Sequence, residues 1–169
     1  MIYKIIYKVL LLAIFPLVFI YLIFYSMYLK DINLLLNRIG YISNLKNKKN
    51  ILCVHCASLG EINGVKYLIK KIKKNNTIII STNTISGKKR AQELFPEFDV
   101  IYFPLDYKIF IAPWLNSIKI KNILIYETEI WPNFYDLCDK KNVKIGVINA
   151  RFSKKIRYGN KITINLYRQ

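Results

Sequence analysis

Between Ile51 and Ile148 five short apolar runs alternate with segments of helical spacing, an order that an open parallel sheet accommodates and an antiparallel one does not. The runs are Ile51–Cys56, Thr77–Thr82, Val100–Phe103, Asn122–Tyr126 and Val143–Ile148. Helices are predicted between them over Ile62–Lys74, Ser86–Phe95, Tyr107–Ser117 with a break at Pro113, and Pro132–Lys140. In the first helix Ile62, Val65, Leu68, Ile69 and Ile72 share one face, and the lysines gather toward the C-terminal half, where the helix dipole favours them. Pro96 stops the second, and Pro132 opens the last, where a missing N–H is harmless. Crossovers of this kind are right-handed, so the fold class is α/β, a doubly wound parallel sheet.

The N-terminal region obeys a different rule. Val9–Leu29 is 21 residues without a charge, long enough at ~1.5 Å per residue to match a hydrocarbon core of ~30 Å. Pro16 is tolerated in a bilayer helix, and Tyr21, Tyr25 and Tyr28 gather at the far end as an interfacial belt. A cleaved leader would have a shorter apolar core and a small-residue cleavage site, and none follows Phe24. Lys4 and Lys8 precede the run; Lys30, Arg38, Lys46, Lys48 and Lys49 follow it with only Asp31 against them. The positive-inside rule therefore sets the globular part in the cytoplasm. Leu34–Leu36 and Ile39–Ile42 suggest a second, interfacial helix before a polar linker, Asn44–Asn50. The expected division is an anchor over 1–30, interfacial helix and linker over 31–50, a globular domain over 51–158 and an irregular tail over 159–169.

A net charge of +17 is first read as a solvated surface in a chain where Ile, Lys and Asn supply 68 of 169 residues; attraction to an anionic membrane or a lipid phosphate is the functional alternative. The lysines fall on helix ends and loops and form no single patch interleaved with aromatics, so a nucleic-acid partner is not expected. Cys53 and Cys56 form a C-x-x-C inside a strand, where a redox motif would open a helix. With Cys138 and the one histidine, His55, they do not make a zinc set, so buried reduced thiols are expected.

In a parallel sheet all strand C-terminal ends share one edge, and ligands bind in the crevice there. The unusual polar residues sit at those ends: Ser58, Gly60 and Glu61; Thr82, Thr84, Ser86 and Gly87; Glu127 and Glu129; Asn149 and Arg151. Glu61 is the candidate base, Gly60 allowing a tight turn that leaves the carboxylate at a helix start; the competing role is a helix cap. The dipole there lowers a carboxylate pKa, whereas a general base needs it raised, which partial burial would supply. Glu127 and Glu129, two apart, would face one side of an extended chain, one reaching the cleft while the other holds Arg151 or caps the next helix. The hydroxyl loop Thr82–Gly87 suits a phosphate or sugar, or is an ordinary N-cap. Neither a GxGxxG nor a P-loop is present.

These stretches carry a resemblance. His55-x-x-Ser58-x-Gly60-Glu61, Thr82-x-Thr84-x-Ser86-Gly87, Glu127-Thr128-Glu129-Ile130-Trp131-Pro132-Asn133 and Asn149-Ala150-Arg151-x-Ser153 resemble, in order, the N-terminal half of the 3-deoxy-D-manno-octulosonic acid (Kdo) transferases. The resemblance implies the Rossmann-like acceptor half of a two-domain GT-B glycosyltransferase of lipopolysaccharide biosynthesis, at the cytoplasmic face of the inner membrane. It implies transfer from CMP-Kdo to the lipid A precursor, with inversion, without a metal or other cofactor. It assigns Glu61 as the base and brings in Glu127 or Glu129 as support, with membrane lipid as a further partner. In the family a second domain holds most of the CMP-Kdo contacts, and nothing after Tyr158 resembles it. The expectation is therefore an acceptor half that needs a separately encoded C-terminal half; the alternative is a non-catalytic binding module for the lipid A precursor, or a degenerate remnant. Cys53 and Cys56 stand outside the family pattern.

Overall fold

In a computed structural model of the chain, which describes residues 2–43, 45, 51–74 and 76–150, all five apolar runs are strands. They are β1 (Ile51–His55), β2 (Thr77–Thr82), β3 (Asp99–Tyr102), β4 (Asn122–Tyr126) and β5 (Lys144–Ile148). All neighbours pair in parallel, in the order β3-β2-β1-β4-β5. The chain thus starts at the centre, winds outward to β3, crosses back and winds outward again to β5. The reversal leaves a crevice between the C-terminal ends of β1 and β4.

The helices are α1 (Ile2–Tyr28), α2 (Ile32–Arg38), α3 (Leu59–Ile72), α4 (Ile85–Leu94), α5 (Lys108–Ile118) and α6 (Pro132–Lys140). Side chains alternate across the sheet and divide its core in two. Val54, Ile78 and Ile80 pack with Ile62, Val65 and Ile69 of α3 and Ala91 of α4. Cys53, Ile79, Ile101, Ile123 and Ile125 pack on the other face with Ile111, Trp114, Leu115 and Ile118 of α5 and Phe134 of α6. This is the doubly wound α/β fold expected, preceded by an apolar helix.

Pro113 does not break α5, which runs unbroken to Ile118. Proline removes only the bond to the carbonyl of Ile109, an exposed residue, and the burial of four apolar side chains outweighs that loss. The second N-terminal helix is shorter than expected: α2 ends at Arg38, and Ile39–Ile42 are not helical. Gly40 turns the chain with φ +90°, and a Cβ there would lie 2.0 Å from the carbonyl oxygen of Phe110. α2 also packs on the domain. It buries Leu34 and Asn37, and Asn37 Oδ1 accepts the N–H of Tyr102 at 3.0 Å, satisfying a donor at the open edge of β3. The linker from Asn44, apart from Leu45, and the tail from Arg151 lie outside the described residues, and so do the expectations made for them.

At the end of α2 the partly buried Arg38 guanidinium reaches the sheet. Nη1 donates to Asn83 Oδ1 at 3.0 Å and to the Phe103 carbonyl at 2.9 Å, and Nη2 donates to the Asn83 carbonyl at 2.6 Å. Burial brings its pKa down to about 10, so it stays charged at neutral pH. In the sequence Arg38 bears only on membrane orientation; in the fold its fork fixes the β2–α4 loop at the crevice.

Two substitutions test these supports by urea denaturation of the chain. Gly40→Ala, forcing a Cβ against backbone at a left-handed φ, should cost roughly 1–3 kcal/mol. Arg38→Lys keeps the charge but not the fork and should cost roughly 1–3 kcal/mol, since buried carbonyls lose a donor. Unchanged midpoints would contradict both.

Candidate active site

The crevice begins at the end of β1. Alternation turns His55 onto the α5/α6 face, where its ring lies 4.1 Å from that of Phe103 and is fully buried. Ser81, its register partner on β2, meets His55 Nδ1 at 2.9 Å. Cys56 points to the opposite face, and the chain turns at Ala57 and Ser58 into α3.

Ser58 caps α3 from an extended conformation, its Oγ accepting the Glu61 N–H at 3.5 Å. Glu61 reaches back: Oε2 accepts the Ala57 N–H at 2.7 Å, and Oε1 accepts the Ser58 hydroxyl at 3.0 Å. This is a capping box displaced by one residue, so the competing role foreseen for Glu61 is real. It does not exhaust the carboxylate, because each oxygen keeps a second lone pair. Burial raises the Glu61 pKa; the bonds from Ala57 and Ser58 oppose this, and the Glu129 charge adds to it. The tension between helix dipole and general base is thereby resolved in favour of burial. Gly60 plays a different part from the tight turn expected. It lies in the first turn of α3 without a positive φ, and a Cβ there would meet nothing closer than Ser58 Oγ at 3.9 Å. Its bare backbone leaves open space beside Glu61.

Glu129 enters from the β4–α6 loop. Its Oε2 lies 3.1 Å from His55 Nε2, accepts Trp131 Nε1–H at 2.8 Å and receives Asn83 Nδ2 at 3.3 Å. Burial alone would raise its pKa, but these donors, His55 first, overcome it and hold the carboxyl below its ordinary value. An ionised Glu129 can accept only from His55 Nε2–H, and the other ring nitrogen, Nδ1, is held by the Ser81 hydroxyl. The stability that the lowered pKa brings is present above the ordinary 4.5 and is lost as pH falls through the folded value. Glu61, raised, has the opposite sign: its ionised form opposes folding above its ordinary value.

The two glutamates of ETE do not face the same way. Glu127 adopts φ +66°, which breaks the extended geometry; its N–H pairs with the Ile148 carbonyl and its Oε1 lies 3.4 Å from Asn149 Nδ2, exposed and on the β5 side. Glu129 turns into the crevice. Arg151 and Ser153 lie outside the described residues.

The hydroxyl loop is used structurally. Thr82 Oγ1 donates to the Ala57 carbonyl at 3.2 Å, tying β2 to the Glu61 turn. Thr84 caps α4 by accepting the Gly87 N–H at 3.1 Å, and Ser86 lies exposed with Oγ 3.4 Å from Thr84 Oγ1. A Cβ on Gly87 would fall 2.4 Å from Thr82 Oγ1, so glycine is what lets α4 close on this turn. The structure thus brings together Ser58, Glu61, Thr82, Gly87 and Glu129 and leaves Glu127 and Asn149 apart. Sequence reasoning missed Asn83 and Trp131 as partners of Glu129. It also gave no role to His55, although an uncharged-run strand ending in its one histidine was the signal.

Cys53 and Cys56 are buried in different cores on opposite sheet faces, and all three cysteines are free. Burial raises all three thiols, Cys53 and Cys138 to about 12. Among the described residues no group of three His, Cys, Asp or Glu side chains is placed to hold a metal ion.

The sequence profile described as 3-Deoxy-D-manno-octulosonic-acid transferase (kdotransferase) matches residues 34–169. Over 119 residues, 67% of this chain, the sequence is 40% identical to a "Bifunctional glycosyltransferase/methyltransferase" of Fusobacterium nucleatum, covering 18% of that protein. A "3-deoxy-D-manno-octulosonic acid transferase" of Haemophilus influenzae is 30% identical over 63% of the chain and 26% of its own length. One from Aquifex aeolicus is 28% identical over 53% of the chain and 26% of its own length. The matched part of the chain spans about a quarter or less of each of these relatives. On the profile match, over most of its length, the chain belongs to the 3-deoxy-D-manno-octulosonic acid (Kdo) transferase family.

Proposed function

We propose that this chain is the acceptor-binding, base-bearing half of a Kdo transferase, working at the cytoplasmic face of the inner membrane in lipopolysaccharide synthesis. CMP-Kdo is the donor and the lipid A precursor the acceptor, and a C-terminal half, separately encoded or fused, supplies most of the donor contacts. The single observation that carries the reading is the Glu61 carboxylate held at the mouth of the sheet by the Ala57 N–H and the Ser58 hydroxyl, with Glu129 pinned at the same edge by His55, Asn83 and Trp131. A site with a proton-accepting carboxylate beside one held ionised is suited to deprotonating a sugar hydroxyl.

In this reading Glu61 takes the proton of the acceptor hydroxyl while its oxygen attacks the anomeric carbon of Kdo. The new C–O bond forms as the bond to the CMP phosphate breaks, CMP leaves with the electron pair, and the configuration inverts. Ser58 and Ala57 aim the Glu61 carboxylate from below, and the gap at Gly60 admits the acceptor. Glu129 does not touch the proton: its charge raises the proton affinity of Glu61 and its hydrogen bonds fix the crevice walls.

The test separates base from cap. Glu61→Gln preserves a side chain able to complete the capping box and removes the base. Transfer of Kdo from CMP-Kdo to lipid A precursor, measured with the donor-binding half present, should fall ~10²–10⁴-fold, with the melting temperature of the chain not lowered. A rate within a few-fold of the parent would show that Glu61 is only a cap. Acceptor binding without turnover in the parent protein would reduce it to a binding module.

A further inference from the structure

α1 is apolar on all sides, yet it is docked. Tyr7, Leu11, Phe15, Val18, Leu22 and Tyr25, spaced by threes and fours, form one partly or fully buried stripe. Tyr7 Oη donates to Asp106 Oδ2 at 2.6 Å, and the Leu11 carbonyl accepts Tyr107 Oη at 2.6 Å. The Phe15 ring packs edge-on to Tyr107 at 5.2 Å, Leu22 is buried with Leu34 and Tyr102, and Ser26 Oγ donates to the Asp31 carbonyl at 2.7 Å. From Tyr7 to Ser26 the docked length is about 28 Å, nearly the whole ~30 Å of a hydrocarbon core.

That length decides the orientation. Were α1 to cross a bilayer in this arrangement, its partners would be carried through the core beside it. At one end those include Asp106 and the Lys108–Asp136 ion pair; at the other, Arg38 and the Lys88–Asp31 pair. Charged groups and irregular loops at that depth are prohibitive. A solvent-facing stripe about a third of a turn from the docked one is free of this conflict. Leu10, Leu17 and Phe24, seven residues apart, are 54%, 72% and 67% exposed, and exposed lysines, Lys8 and Lys30, flank the apolar length. An apolar stripe bordered by cations, on a chain of net charge +17, complements a bilayer with anionic headgroups.

We propose that α1 lies in the plane of the membrane, embedded by the Leu10–Leu17–Phe24 stripe, and does not cross it. The consequence concerns the crevice. α1 runs past the N-terminal ends of α6 and α5 to the end of β3. These all belong to the sheet edge that carries Glu61 and Glu129, so the in-plane helix sets that mouth beside the lipid surface. The identity of the lipid substrate rests on the function proposed above; the orientation of α1 does not.

The experiment uses the full chain in proteoliposomes of phosphatidylethanolamine and phosphatidylglycerol. An environment-sensitive fluorophore is attached to Leu10→Cys, Leu17→Cys or Phe24→Cys and quenched by lipids brominated at known depths. The three exposed positions should report depths agreeing within about one helical turn, ~5 Å, all at the headgroup–acyl boundary. A spanning helix would put position 17 about 10 Å deeper than the other two and overturn the proposal. A chain doubly substituted at Ile5→Cys and Tyr28→Cys should take an impermeant maleimide at both ends or at neither; labelling at one end only would overturn it as well. So would absence of quenching with concentration-dependent cross-linking through position 17, the mark of a second copy on this face. No step requires Kdo transfer, so an inactive chain with α1 in plane would sink the functional reading alone.

Discussion

One carboxylate oxygen gathers the site. Glu129 Oε2 is approached by donors from three separate segments: His55 at the end of β1, Asn83 in the β2–α4 loop and Trp131 before α6. A partly buried carboxylate without such donors would take up a proton or turn to solvent. With them it is the fixed charge around which the end of β1, the α4 approach and the α6 approach are arranged. The second layer is equally specific. Arg38 holds Asn83 by both its side chain and its carbonyl, and Ser81 fixes the other nitrogen of His55. A helix that precedes the sheet in sequence therefore reaches the crevice through two hydrogen-bonded steps.

Glu61 depends on that hub electrostatically and on its own turn sterically. Its position comes from the Ser58 cap and the Ala57 N–H, its elevated proton affinity from burial first and from the nearby Glu129 charge as well. The same side chain closes the first turn of α3, where a Cβ on the preceding Gly60 would meet nothing closer than 3.9 Å. Capping and proton acceptance are compatible because they use different lone pairs of the same group.

The architecture was legible where periodicity was strong. Five apolar runs at regular spacing placed all five strands within a few residues, and their parallel order follows from the intervening helices. The site was legible by edge, not by direction. Strand-end position found Glu61 and Glu129, but Glu127 was separated from its neighbour by a left-handed φ that no spacing rule reveals. Long-range partners were the main loss. Arg38 lies 45 residues from Asn83 and Tyr7 lies 99 residues from Asp106, so neither contact leaves a local pattern. The uncharged run announced a membrane helix by composition; its docked stripe was hidden because apolar residues occupy every face.

The roles of Glu61 and Glu129 require their two carboxyls to titrate apart. In the full chain labelled with ¹³C at glutamate, the carboxyl shifts of Glu61 and Glu129 can be followed against pH, with Glu61→Gln and Glu129→Gln to assign them. Glu61 should titrate above the ordinary 4.5 and Glu129 below it. A Glu61 midpoint at or below that of Glu129 would contradict the assignment of base and fixed charge.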